Sequence, residues 1–301
     1  MGKPLTLPGL VRSPIEAMAR DLLRAEDFGV DFAAPAGAPA LVPADGISWR
    51  VFRNPVTLFI GGVAAVLLEL AEPRVRHGVW DHSGFRADPL ARLRRTGLAA
   101  MVTVYGPEEA ARAMIAGVNR LHARVSGLTA AGVAYRADDP ELLDWVQATA
   151  AWGFLEAFCA YAGPLPAAAR DLYYAEGAPV AALYGATGAP ASQDALRALF
   201  ARMGPKLEPS ATLHEFLAIM RRVEALPGAA RPAQALLVRA AVDLLPGSLA
   251  DRLGLGGDRL AGWQKPLVRA LAAAADRLLL PSSPPVQASR RLGLPDDWPW
   301  R

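Results

Sequence analysis

Four histidines, His77, His82, His122 and His214, are the side chains best suited to metal or acid–base chemistry. No His-Glu-x-x-His pair joins them, so a zinc site built from protein ligands alone has no support. Gly-x-Ser-x-Gly elbows, P-loops and dinucleotide fingerprints are missing as well. His122 stands apart by position. A helix over 107–125 would set it beside Val118, Leu121 and Val125, on the face that should be buried. Two readings fit: a core histidine bonded to a carbonyl, or a single axial ligand to haem iron, which needs one neutral imidazole in an apolar slot. Arg92 and Thr96, four apart, share a helical face, and Arg95 lies close to Arg92. That run is either a solvated basic surface or arginine placed to pair with a ligand's carboxylates beside a hydroxyl. Spacing leaves both choices open.

The elements that must position these residues carry helical rather than alternating period. Gly106-Pro107-Glu108-Glu109 is a start signal for the His122 helix, with proline in the first turn and acids at the positive end of the dipole. Asp138-Asp139-Pro140-Glu141 opens another, with Leu142, Leu143, Val146, Ala150, Phe154 and Phe158 inward, ending before Gly163. Thr212-Leu213-His214-Glu215 has the form of a capping box for a helix to about Leu226. Further helices are predicted at Ser13 to Glu26, 166–177, 192–203, 232–245 and 264–280. Residues 47–53 alternate enough to predict a short strand or extended lead-in. From Pro281 onward, Pro284, Pro285, Pro295 and Pro299 predict an extended tail.

The most apolar stretch, Val56 to Leu70, holds Gly61, Gly62 and Glu69 and is too short for a bilayer, which needs roughly 20 residues. It should pack centrally, with Phe59, Val63 and Leu67 forming part of an apolar wall beside His122. The glycine pairs Gly61-Gly62 and Gly256-Gly257 read as close helix packing and a loop.

Composition narrows the classes further. The 301 residues are 52% apolar, which excludes a disordered chain, and their 32 basic and 29 acidic side chains leave a net charge of only +3. No basic run interleaves with aromatics, so nucleic acid is not expected as a partner. One cysteine, Cys159, excludes an internal disulfide and fits a reducing compartment. The first residues carry no apolar core with a cleavage site, so a cytoplasmic chain is expected. A mean hydropathy of +0.19 leaves peripheral membrane contact open.

Several segments, in order, carry a resemblance: Gly61–Pro73, Gly78–Phe85, Asp88–Thr96, Val118–Gly127, Tyr135–Val146 and Asp171–Glu176. Together they resemble the mpaB and rubber-oxygenase catalytic-domain family from about residue 55 to 245. The resemblance implies an all-α fold, a single helical domain with a globin-like haem-binding core, and haem b as cofactor. It divides the chain into an N-terminal helix and loop (1–46), a catalytic domain (47–280) and a Pro-rich tail (281–301). Latex-clearing members cleave polyisoprene with dioxygen, and the mpaB branch is linked to oxidative cleavage of a prenyl chain.

By the same resemblance the axial histidine falls on His122, the metal ligand, and the distal arginine and threonine on Arg92 and Thr96. Arg92 would bind a haem propionate, and Thr96 with Arg95 would line the oxygen side. His82, in an Asp-His-Ser segment, is the second histidine to consider for the cofactor. The rubber-cleaving branch has a lysine where this chain has Arg95, and arginine does not readily deprotonate to ligate iron. Many relatives read His-Pro at Glu72-Pro73 and Trp-Val-His at Trp145-Val146-Gln147. The base proposed in the rubber branch has no match in this sequence reading. The expectation is a haem b-dependent oxygenase using dioxygen on an apolar, unsaturated, isoprenoid- or lipid-like substrate. The rivals are a haem-binding or haem-sensing protein without turnover and a haem-free helical lipid binder.

Overall fold

A computed structural model describes residues 30–226 and 231–301. The predicted helix at Ser13 to Glu26 lies outside the described residues. Elsewhere the chain is almost wholly helical: α1 (Ile47–Val51), α2 (Pro55–Ala71), α3 (Pro73–His82), α4 (Pro89–Tyr105), α5 (Glu108–His122), α6 (Pro140–Tyr161), α7 (Ala167–Leu183), α8 (Gln193–Met203), α9 (Ala211–Arg222), α10 (Arg231–Leu244), α11 (Gly247–Arg252), α12 (Lys265–Asp276) and α13 (Pro284–Arg291). Between α5 and α6 lies a small antiparallel hairpin, β1 (Ser126–Leu128) and β2 (Ala134–Arg136), with Gly127 opposite Tyr135.

The core is built on α2 and α6, which share the most extensive helix contact in the molecule. Their sequences permit this because Gly61 and Gly153 face each other. A Cβ on Gly61 would stand 2.6 Å from the Gly153 carbonyl oxygen, so only hydrogen lets the backbones meet. Trp145 locks the register by donating Nε1–H to the Leu68 carbonyl at 3.2 Å. Asn54 starts α2 by accepting from the Val56 and Thr57 amides, and Pro55 fits the first turn. α2 is central, as its apolar sequence predicts, with Val63 and Leu67 buried and Phe59 half-buried. At Glu72 the chain bends by 110° into α3. No single helix among the described residues is long and apolar enough to cross a membrane.

Three segments differ from their sequence-based expectation. Residues 47–53 form helix α1, not a strand. The Glu176 carboxylate of α7 accepts the Ile47 amide at 2.9 Å, so a distant side chain caps a segment that has no local cap. The helix containing His214 starts at Ala211 without the predicted box, because Glu215 faces Arg86 (3.0 and 2.9 Å) instead of its own first turn. The tail is not extended: Pro284 and Pro285 occupy the first turn of α13, where proline is tolerated. That helix is anchored by buried Arg291, which donates to the Ala38 and Phe32 carbonyls at 2.9 and 2.7 Å. Nearby, Arg53 pairs with Asp276 through two bonds and donates to the Pro299 carbonyl, tying α12 and the chain end to the start of α2.

Candidate active site

Asp88 caps α4 by accepting the Ala91 amide at 3.0 Å, and Pro89 follows in the first turn. The helix this starts places Arg92 and Thr96 one turn apart, and they bond each other. The Thr96 hydroxyl donates to the Arg92 carbonyl at 2.9 Å and accepts from the Arg92 guanidinium. Thr96 therefore fixes the direction in which Arg92 points. Arg95 is exposed on the next position and adds positive charge near Arg92.

The Arg92 charge acts on two titratable groups of other helices. One is Glu69, near the end of α2. Burial pushes its carboxyl up to about 7, and the opposing pull of Arg92 does not restore an ordinary carboxylate. Thr149 of α6 stands 3.5 Å from its Oε1, too far for a strong bond, and already donates toward its own helix. The other group is His122, the last residue of α5. Burial and then the Arg92 charge push its pKa down, with Asp138 opposing weakly, so the imidazole is neutral at neutral pH. Its Nδ1 is buried and has no hydrogen-bond partner.

The His122 helix is less buried than its sequence predicts. Ala111 and Ile115 are its buried residues, Val118 and Val125 are half-buried, and Leu121 is 62% exposed. The reason is that α5 packs through its N-terminal half, while its C-terminal end runs out toward the hairpin. Clefts of about 400 and 220 Å³ follow this helix. The smaller, lined by Arg112, Ile115, Ala116, Asn119 and Leu183, ends one turn before His122.

His82 is exposed at the end of α3, where its Nε2 bonds the Tyr135 hydroxyl of β2 at 3.0 Å. His77 bonds Asp81 at 2.9 Å through Nδ1 and accepts the Ala130 amide through Nε2. Both rings thus hold the hairpin that follows His122. Thr96 bonds Arg92, and Arg92 acts electrostatically on Glu69 and His122, whereas the contacts of His82 are with the hairpin. Glu72, where many relatives carry histidine, caps α3 by accepting the Val75 amide and pairs with Arg74. Arg74 in turn reaches Glu141, whose carboxyl is held near 2 by Arg74 and Lys206. That position is therefore part of a structural charge network.

The residue that sequence reading passed over is Glu69. Its signal was present: a lone carboxylate inside the most apolar run of the chain, where a buried charge is costly without a role. Among the described residues no group of three or more His, Cys, Asp or Glu is placed to hold a metal ion directly.

Comparison with curated proteins and with solved structures returns no match. The family model of the ER-bound oxygenase mpaB/B′/rubber oxygenase catalytic domain, however, matches residues 49–277, which run from α1 to the end of α12 and include Glu69, Arg92, Thr96 and His122. This mostly helical chain, matched over residues 49–277, belongs to the mpaB/rubber-oxygenase catalytic-domain family.

Proposed function

We propose that this oxygenase-family chain is a haem b-dependent oxygenase that uses dioxygen on an apolar, unsaturated, isoprenoid- or lipid-like substrate. The observation carrying this reading is His122: a half-buried imidazole with an orphaned buried Nδ1, kept neutral by burial and by the charge of Arg92. An unsatisfied buried nitrogen costs about 1–3 kcal/mol, and ligation of the ring relieves the need for a protein partner. The donor set fits haem, since haem requires one neutral imidazole and a cation for a propionate. Haem iron, when bound, supplies the activation of dioxygen.

The chain's own residues then have separate tasks. His122 offers its lone pair as the single protein ligand. Arg92, oriented by Thr96, would pair with a propionate carboxylate, and Arg95 and Thr96 would be the residues nearest the bound dioxygen. Glu69, titrating near neutrality, takes up or releases a proton at its carboxyl close to the working pH. His82 acts by holding Tyr135, and through it the hairpin next to His122.

Visible spectra of the purified protein, ferric and then dithionite-reduced, test the cofactor. A Soret band is expected, lost in His122→Ala and kept in His77→Ala and His214→Ala. A normal spectrum in His122→Ala sinks the assignment. Oxygen consumption with an unsaturated lipid separates an oxygenase from a protein that only binds or senses haem.

A further inference from the structure

Helix α12 breaks the usual rule for a surface helix. Its inward face carries Val268 and Ala272, buried against α2, α6 and α10, and Asp276, which pairs with Arg53. The opposite face should be polar. Instead it presents Leu267, 47% exposed, and Leu271, 36% exposed, with Ala270 and Ala274 beside them. One turn earlier Trp263 is 71% exposed, the most open large apolar side chain among the described residues. Leu267 and Leu271 share one face of α12, and Trp263 stands in the short 3-10 turn Gly262–Gln264 that leads directly into it. The turn that presents the tryptophan is fixed, because Gln264 Oε1 accepts the Ala261 amide at 2.9 Å.

The charges on and beside this helix are net positive. The helix carries Lys265 and Arg269, and Arg277 follows at its end; its single acid, Asp276, is turned inward and committed to Arg53. Arg269 donates to the Ala160 carbonyl and Arg277 is exposed, and among the described residues neither has a carboxylate partner. Lys265 and Arg259 share one buried carboxylate, Asp243, at 2.9 and 3.5 Å, which leaves that trio net positive.

An exposed tryptophan, a leucine stripe and a cationic flank are the features of a helix that lies in the plane of a lipid interface. We infer that the outer face of α12, with Trp263, docks this protein on an anionic lipid bilayer. Charge decides the occupant: a second copy would bring the same cationic flank against this one, whereas acidic headgroups complement it. The inference stands on this surface alone and is independent of the haem reading.

Vesicle co-sedimentation of the full chain tests it. Vesicles of phosphatidylcholine with roughly a third phosphatidylserine should retain the protein at low salt, and pure phosphatidylcholine should retain much less. Raising the salt should weaken retention several-fold. Leu267→Glu with Leu271→Glu should lower partitioning at least about tenfold, and Trp263→Ala, at a site too exposed to disturb folding, should lower it several-fold. Far-UV circular dichroism checks that both variants are folded. Absence of retention on anionic vesicles overturns the inference, as does retention that these substitutions leave unchanged. A concentration-dependent dimer that Leu267→Glu abolishes, with no vesicle binding, overturns it in favour of a second copy.

Discussion

The α2–α6 pair and the α4–α5 pair are built on opposite terms. In the first, two glycines bring backbones into contact, and nearly every large side chain along the seam is buried. In the second, the side chains of interest are half-buried or exposed and are linked by a hydrogen bond, Thr96 with Arg92, and by the charge of Arg92 acting on Glu69 and His122. Close packing gives the molecule its stability, and the looser pair keeps polar groups available for a ligand. Substitutions should therefore affect the two regions in different currencies, folding in one and ligand binding in the other.

The largest effect is expected at the glycine contact. Gly61→Val places carbon where the Gly153 carbonyl already stands and should remove at least about 3 kcal/mol of stability. Thermal unfolding measures this, and an unchanged midpoint would show that α2 and α6 do not meet as closely as described. Next, His122→Ala should abolish the Soret band yet leave the midpoint of the cofactor-free protein within about 2 °C, since no intramolecular bond of the ring is lost. A large drop in that midpoint would make His122 a core residue and erase the contrast between the regions.

Arg92→Ala should weaken haem retention by roughly 1–3 kcal/mol, on the order of tenfold or more in affinity, as measured by haem transfer to an acceptor globin. The same change should move the Glu69 and His122 pKa values upward, because the Arg92 charge lowers both. Carboxyl and imidazole titration by NMR reads this, and unmoved values would break the electrostatic link between α2, α4 and α5.

The smallest effect is a pH dependence. Glu69 has a folded pKa near 7, above its ordinary value, so its neutral form is the favoured one in the native state. Its contribution to stability is full in acid and is lost as pH rises through about 7. Glu69→Gln should therefore raise the melting midpoint by a few degrees at pH about 8 and leave it nearly unchanged at pH about 5. Equal midpoints at both pH values would place the Glu69 carboxyl in water.

How much of this was legible beforehand differs by residue. The i,i+4 pair Arg92 and Thr96 was readable because helical period fixes neighbours one turn apart, and the structure bonds them directly. The family assignment follows from motif order, and the helical class from the start signals at Pro107 and Pro140, whereas Pro284, expected in an extended tail, opens α13. His122 stands out in the sequence by its position, but its helix is less buried than its period implies, because periodicity shows which residues share a face and not how far along the helix the packing extends. Glu69 was noticed only as a charge that interrupts an apolar run. Its partner Arg92 lies on another helix, and no local pattern joins them.

What the sequence determined by itself is therefore the set of short-range relations: where helices begin, which side chains share a turn, and that Gly61 permits close approach. The tertiary structure alone decided which distant groups meet. Glu176 caps α1, Asp276 receives Arg53, Arg291 clasps Phe32 and Ala38, and the charge of Arg92 reaches both Glu69 and His122. The physical reason is that a helix's hydrogen bonds are closed within a few residues and so are written in local spacing. A buried polar group takes whichever partner the packing of separate helices brings within reach, and that partner has no fixed distance along the chain.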